Sequence, residues 1–178
     1  MIWKYHYWKC ELLTIARRLN ARRWRSCGER ALSHSEKDLL IGFYAIRKLI
    51  EAKKVSNALM ELSIDVKCYP CINPPVTLIN RHKIDELYDL TQECTEVRKA
   101  EWISNQFIHS YVLMFGTNDN SNYLEGFYCA SDRMRNTKIY YFPAKTITKI
   151  FQRFGSNYPS RIHCRFNQKS QDFDTFSE

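Results

Sequence analysis

Apolar residues recur along the first part of the chain at helical spacing. Trp8, Leu12, Ile15 and Leu19 stand four, three and four apart, so a helix over residues 5–25 would bury one face. At about 100° per residue, Arg18, Arg22 and Arg25 fall beside that stripe and give the same helix an arginine face. Ser35-Glu36-Lys37-Asp38 sets a hydroxyl three residues before a carboxylate, a pairing that occupies free N–H groups at a helix start. A second helix is predicted over 36–62, burying Leu39, Phe43, Ile46 and Ile50. Residues 63–69 alternate instead, and Pro70 and Pro74-Pro75 follow, which no helix interior tolerates. This predicts a small hairpin near 63–80, with its second strand at 76–79, and then a short helix over 81–90. From Thr91 a long helical pattern runs to about Gly116, with Ala100, Ile103, Phe107 and Tyr111 on one face.

The pattern then changes. Residues 123–130 and 138–142 read as two strands of a hairpin around Ser-Asp-Arg-Met-Arg-Asn. Pro143 opens a helix where its missing N–H is harmless, and Ala144, Ile147, Ile150, Phe151 and Phe154 form its buried face. Residues 160–167 alternate Ile162, Cys164 and Phe166 with Arg161, His163 and Arg165, which is strand periodicity. The fold class that follows is α+β: an antiparallel helical bundle over residues 1–116 with a hairpin insertion, a basic ββαβ element over 117–167, and a polar tail over 168–178.

Length and composition narrow the class further. The chain has 178 residues, 44% of them apolar, enough for one sizeable core and too few for two ordinary domains. No stretch approaches the roughly 18 apolar residues of a membrane span, and the N-terminus interleaves aromatics with charges where a secretory signal has an apolar core. A soluble cytoplasmic protein with no membrane partner is expected. Seven cysteines, an odd number in no regular framework, suit a reduced setting. The net charge of +8 is unevenly spread: residues 1–60 carry 13 Lys/Arg against 5 Asp/Glu, residues 61–120 carry 5 against 9, and residues 121–178 carry 9 against 5. Basic ends flank an acidic middle, a polarity that fits RNA or another polyanion as partner.

Candidate chemistry concentrates between Arg98 and Tyr111. On a helix, Arg98, Trp102, Asn105 and His109 are four, three and four apart and project to one side, a polar seam on an otherwise apolar element. An Asn beside a His can hold one imidazole tautomer and leave the other nitrogen for proton transfer; a histidine bonded within the core explains the same pattern. Arg47 and Glu51 stand one helical turn apart, with Lys48 also near Glu51, and read as a structural ion pair. No second His or Cys stands at ligand spacing from His109, so no metal is expected, and the absence of a phosphate-cradling glycine loop or serine elbow disfavours common nucleotide hydrolases and α/β-hydrolases. No cofactor is implied.

Ser104-Asn105-Gln106-Phe107-Ile108-His109, set on a late helix and preceded by a long helix through Arg47-Lys48-Leu49-Ile50-Glu51, resembles the signature of HEPN-domain proteins. There an Arg, a polar residue, three variable residues and a His mark metal-independent RNA cleavage by paired subunits. The resemblance covers residues 1–116. It implies an RNA-directed protein, a ribonuclease of toxin or defence type acting as a homodimer and held by a cognate inhibitor protein, with His109 as acid/base and Asn105 beside it. Ser104 occupies the arginine position and cannot clamp a phosphate; Arg98 on the same face, or Arg47 or one of Arg18, Arg22 and Arg25 from another helix, would have to substitute. The alternative is a non-catalytic nucleic-acid-binding or protein-interaction module, and a third reading is a small-molecule binder using the Trp102 seam.

Nucleic-acid contacts are further suggested by Arg18, Arg22 and Arg25 with Trp24, guanidinium groups beside an aromatic ring, and by Lys145, Lys149 and Arg153, four apart on the helix after Pro143. Both patterns also describe ordinary solvated faces. Cys68-Tyr-Pro-Cys71 has the spacing of a redox dithiol or half a zinc site, but the proline-rich sequence after it fits neither, and two free thiols near a turn are expected.

Overall fold

The computed structural model describes residues 3–21, 29–116, 124–169 and 171–177. Helix α1 (Tyr5–Ala21) buries Leu12, Ile15, Ala16 and Leu19, and α2 (Glu29–Glu51) buries Leu39, Phe43, Ile46 and Leu49. A one-turn helix α3 (Asn57–Met60) leads to strand β1 (Ser63–Pro70). After the segment 71–93, which holds the short α4 (Ile84–Leu87), come β2 (Cys94–Lys99), α5 (Ala100–Ile108) and β3 (Ser110–Gly116). The chain continues with β4 (Gly126–Ser131), β5 (Lys138–Pro143), α6 (Ala144–Ser156), β6 (Ile162–Asn167) and β7 (Asp172–Ser177).

The main sheet has five antiparallel strands in the order β2-β1-β5-β4-β3. Alternation along each strand divides the core into two layers. Cys68, Cys129 and Tyr140 face a layer shared with α1, α2, α5 and α6, while Tyr69, Ala130 and Ile139 face Val76, Leu87 and Tyr88 of the segment 71–93. In the helical layer Phe43 stacks on Phe107 at 4.1 Å and meets Phe151 edge-on at 5.0 Å, and Phe107 reaches Phe142 at 4.9 Å. These rings join α2, α5, α6 and β5, and truncating any of them to alanine costs about 3–5 kcal/mol. Gly42 makes the packing possible, since a Cβ there would lie 2.4 Å from the Phe151 ring.

Several expectations are corrected here. The expected antiparallel helical bundle over residues 1–116, which the HEPN resemblance also implies, is replaced by a five-stranded antiparallel sheet with α1, α2, α5 and α6 on one face. The expected helix over 91–116 is strand, helix and strand, because an uninterrupted apolar run such as Tyr-Val-Leu-Met-Phe satisfies a helical period and a strand equally well. The expected helix over 36–62 begins earlier and ends at Glu51. Its stop is a Schellman cap in which Lys54 N–H bonds the Leu49 carbonyl and Lys53 N–H that of Ile50, with Lys53 in the left-handed region at φ 52°. A lysine in the place usual for glycine hid that end. The strand β1 is no part of an inserted hairpin; it pairs with β2 and β5, and residues 76–79 form no strand. The expected ββαβ order is present as β4, β5, α6 and β6, but β4 and β5 belong to the main sheet and β6 pairs with β7, within the stretch expected to be a polar tail. Cys68 is not a free thiol: it is disulfide-bonded to Cys94 across β1 and β2, while Cys71 is free. No helix among the described residues is long and apolar enough to cross a membrane.

Candidate functional site

Helix α5 starts where β2 ends and runs only to Ile108, so its last turn presents Asn105 and His109 at the end of the sheet. His109 closes the helix: its N–H bonds the Asn105 carbonyl at 3.1 Å, and its own carbonyl accepts the Asp132 N–H at 3.1 Å. The second bond ties α5 to the turn between β4 and β5, a tight structure in which Ser131 accepts from the N–H groups of Met134 and Arg135, both at 2.9 Å. Gln106, nearly buried, accepts from Ser131 N–H through its side-chain oxygen and fixes the same junction. The segment 71–93 braces that turn from the other side, with Arg135 donating to the Val76 carbonyl at 2.6 Å and the Tyr88 hydroxyl to the Arg135 carbonyl at 2.7 Å.

An open cavity of about 530 Å³ lies against this junction, lined among others by Arg47, Trp102, Asn105, His109, Asp132 and Arg133. Arg47 arrives from α2. It donates to the side-chain oxygen of Asn105 and, through Nε, to Glu51 at 2.7 Å, which Lys48 shares. Those two lysine and arginine contacts hold the Glu51 carboxyl below its ordinary range, so the acid is ionised and its charge spent locally. The His109 imidazole is exposed and makes no hydrogen bond to the described residues, and Arg133, also exposed, makes no ion pair with them. Asp132 is partnered by Arg135 at 3.2 Å.

A second cavity, of about 470 Å³, shares Trp102 and Asn105 with the first and adds Arg98 and Lys99. The Arg98 guanidinium lies over the Trp102 ring at 4.6 Å, and the indole meets Tyr140 edge-on at 4.9 Å. Glu96 sets this stack. It accepts from Arg98 Nε at 3.0 Å, from Lys138 at 2.6 Å and from the Tyr140 hydroxyl at 3.1 Å. Burial works to raise the Glu96 pKa, but the hydrogen bonds from Lys138, Arg98 and Tyr140 prevail and hold the carboxyl low. Burial and Glu96 together push the Tyr140 hydroxyl up to about 12, so it stays a donor.

Four residues singled out from the sequence therefore meet: Arg47, Trp102, Asn105 and His109 line one cavity, and Arg98 joins through its neighbour, although it stands on β2 and not on the helix. Ser104 is fully buried, its hydroxyl donating to the Ala100 carbonyl at 2.9 Å, so it has no access to a ligand. Arg18 is engaged elsewhere, bonded to both oxygens of Asp38 at 3.1 and 2.8 Å and to Glu11 at 2.8 Å. Arg22, Trp24 and Arg25 lie outside the described residues. Lys145, Lys149 and Arg153 occupy the exposed face of α6, apart from both cavities. Local pattern does not reveal Arg133, Gln106 or the Ser131–Asp132 junction, because only a contact between segments more than twenty residues apart brings that turn against α5.

Chemically the arrangement offers three nitrogen-bearing side chains and an aromatic face to an anion. No cluster of three or more His, Cys, Asp or Glu among the described residues could hold a metal ion. Compared with protein-family models, curated proteins and solved structures, the chain matches none, and with the sheet in place of a bundle this leaves the Asn105-x3-His109 likeness to the HEPN signature without a family behind it.

Proposed function

We propose that this protein binds nucleic acid by holding backbone phosphates in the cavity at the end of α5. One observation carries the reading: Arg47, His109 and Arg133, from three separate elements, converge on one open cavity beside Trp102, and the imidazole and Arg133 are without partners among the described residues. A guanidinium and a ring N–H with no internal partner are available to phosphate oxygens, whereas Arg18 is already satisfied by carboxylates. The net charge of +8 supports the same ligand class through long-range attraction.

Fluorescence anisotropy with a labelled RNA oligonucleotide tests it. Replacing Arg133 by Ala should weaken binding about tenfold, the size of one charge-assisted contact, and lower the salt slope by about 0.7, while circular dichroism stays unchanged. Equal affinity and equal slope in wild type and variant would refute the proposal.

A second reading rests on the same exposed imidazole. A ring with both nitrogens available can move a proton to or from a bound phosphodiester, which would make the protein a metal-independent ribonuclease. On that reading His109→Ala loses RNA cleavage and keeps RNA affinity within about twofold. Wild-type protein that leaves RNA intact removes catalysis and leaves the binding proposal standing.

A further inference from the structure

The two cavities are separate in lining but share Trp102 and Asn105, which places the indole between two cationic stations. One station is Arg98 and Lys99 at the junction of β2 and α5, where Lys99 also pairs with Glu61 in a solvent-exposed contact that competes weakly with a phosphate, unlike the buried Asp38 on Arg18; the other is Arg133 and His109 at the far end of the helix. Trp102 and His109 are seven residues apart on α5 and its cap, about 10 Å along the axis. The indole is held: Tyr140 contacts it edge-on, and Arg98 covers it under the control of Glu96, itself fixed by Lys138 and Tyr140. Three groups thus serve to fix one half-exposed arginine on one half-exposed aromatic ring. Surface ion pairs alone stabilise little, so this arrangement does more for geometry than for folding.

We propose that this trough takes an unpaired strand, with a base stacked on the Arg98–Trp102 platform and its flanking phosphates at the two stations. The inference rests on the phosphate-binding reading above and adds the kind of strand. In a duplex the base faces are covered by their neighbours, so an aromatic ring or a guanidinium plane between phosphate stations finds no face to meet; a single strand can turn a base outward onto it. Arginine planes stack on bases as aromatic rings do, so Arg98 extends the platform instead of blocking it.

The test uses the full chain and needs no variant in its first arm. Anisotropy is measured with single-stranded oligouridine, with an abasic RNA of the same length, and with an RNA duplex of matched charge. The intact single strand should bind roughly tenfold tighter than either other probe, the effect of one stacked base. In the second arm, Trp102→Ala should erase that preference, whereas Trp102→Phe should restore part of it, and Arg133→Ala should weaken all three probes alike. Equal binding of the three probes by wild type overturns the stacked-base inference and leaves phosphate binding intact. No binding of any probe overturns both. If Trp102→Ala fails to fold, the abasic comparison decides alone.

Discussion

Reducing the Cys68–Cys94 disulfide should destabilise the protein by about 3.5 kcal/mol. The bond closes a loop of sequence separation 26, and the entropy that such a crosslink removes from the unfolded chain is worth between about 3 kcal/mol for a 15-residue loop and about 4.7 kcal/mol for a 100-residue one. The loop is the segment 71–93 with its short α4, and it covers the sheet face on Tyr69, Val112, Ala130 and Ile139. Five further register pairs between β1 and β2 lie to one side of the bond, so an unfolded state that keeps part of this pairing would lessen the effect. For a chain of this length, 3.5 kcal/mol corresponds to a fall of about 7–14 °C in the midpoint of thermal unfolding. The assay is a thermal melt followed by circular dichroism, with and without a phosphine reductant, on wild type and on the Cys68→Ser/Cys94→Ser double variant. The reduced wild type and the double variant should melt together, below the oxidised protein. A thiol titration in denaturant gives the independent check: among the described cysteines Cys10, Cys71, Cys129 and Cys164 should react in the unreduced chain, and Cys68 and Cys94 should not. Seven reactive thiols, or one midpoint in both redox states, would refute the reasoning.

Two other perturbations follow from local geometry. Lys9 is fully buried, donating to the carbonyls of Lys54 and Asn157 beneath the rings of Tyr5 and Tyr158, and burial, aided by the Lys54 charge, lowers its pKa to about 8. Between pH 8 and 10 the unfolded chain therefore holds the Lys9 proton more firmly than the folded one, so wild type should gain about 2 kcal/mol relative to Lys9→Met across that window; chemical denaturation at the two ends measures it, and a flat difference would contradict the buried ammonium. Lys53→Gly should raise stability by about 0.5–1 kcal/mol, since glycine adopts φ 52° without the Cβ penalty, against a larger loss of unfolded-state entropy and one exposed bond to the Phe173 carbonyl; a lower denaturation midpoint would show that the side chain, not the backbone, matters there.

The elements that the sequence disclosed are those whose burial is one-sided. Helix α6 packs one apolar stripe and exposes Lys145, Lys149 and Arg153, and α1 does likewise with Leu12, Ile15 and Leu19, so periodicity alone located both. Strands β4 and β5 were legible because a polar turn separates two β-rich runs. Strands β2 and β3 were not. The first is an exposed edge with little apolar signal, and the second is covered on both faces, with Val112 against the segment 71–93 and Phe115 against Phe127 in the helical layer, which removes the alternation that marks a strand. The pairing of Cys68 with Cys94 was hidden for a related reason: it depends on strand register, and no spacing rule links two cysteines 26 residues apart.

The seam of Arg98, Trp102, Asn105 and His109 nevertheless came through an incorrect helix boundary, and the reason is geometric. Trp102, Asn105 and His109 sit on α5 or its cap, where spacings of three and four keep side chains on one side however short the helix is. Arg98 lies beyond the helix start, so helical spacing cannot place it. Its long side chain folds forward from β2, and Glu96, two residues earlier on the same strand, receives the guanidinium and turns it over the indole. Strand alternation puts residues 96 and 98 on one face, and that face is the one Tyr140 of β5 and the indole also occupy. A helix period and a strand period thus converge on the same ring, which is why the residue set survives while the role of Arg98 changes. It becomes a neighbour of Trp102 in a second cavity and not a partner of His109, which shares its cavity with Arg133 on a turn that local pattern could not connect to it.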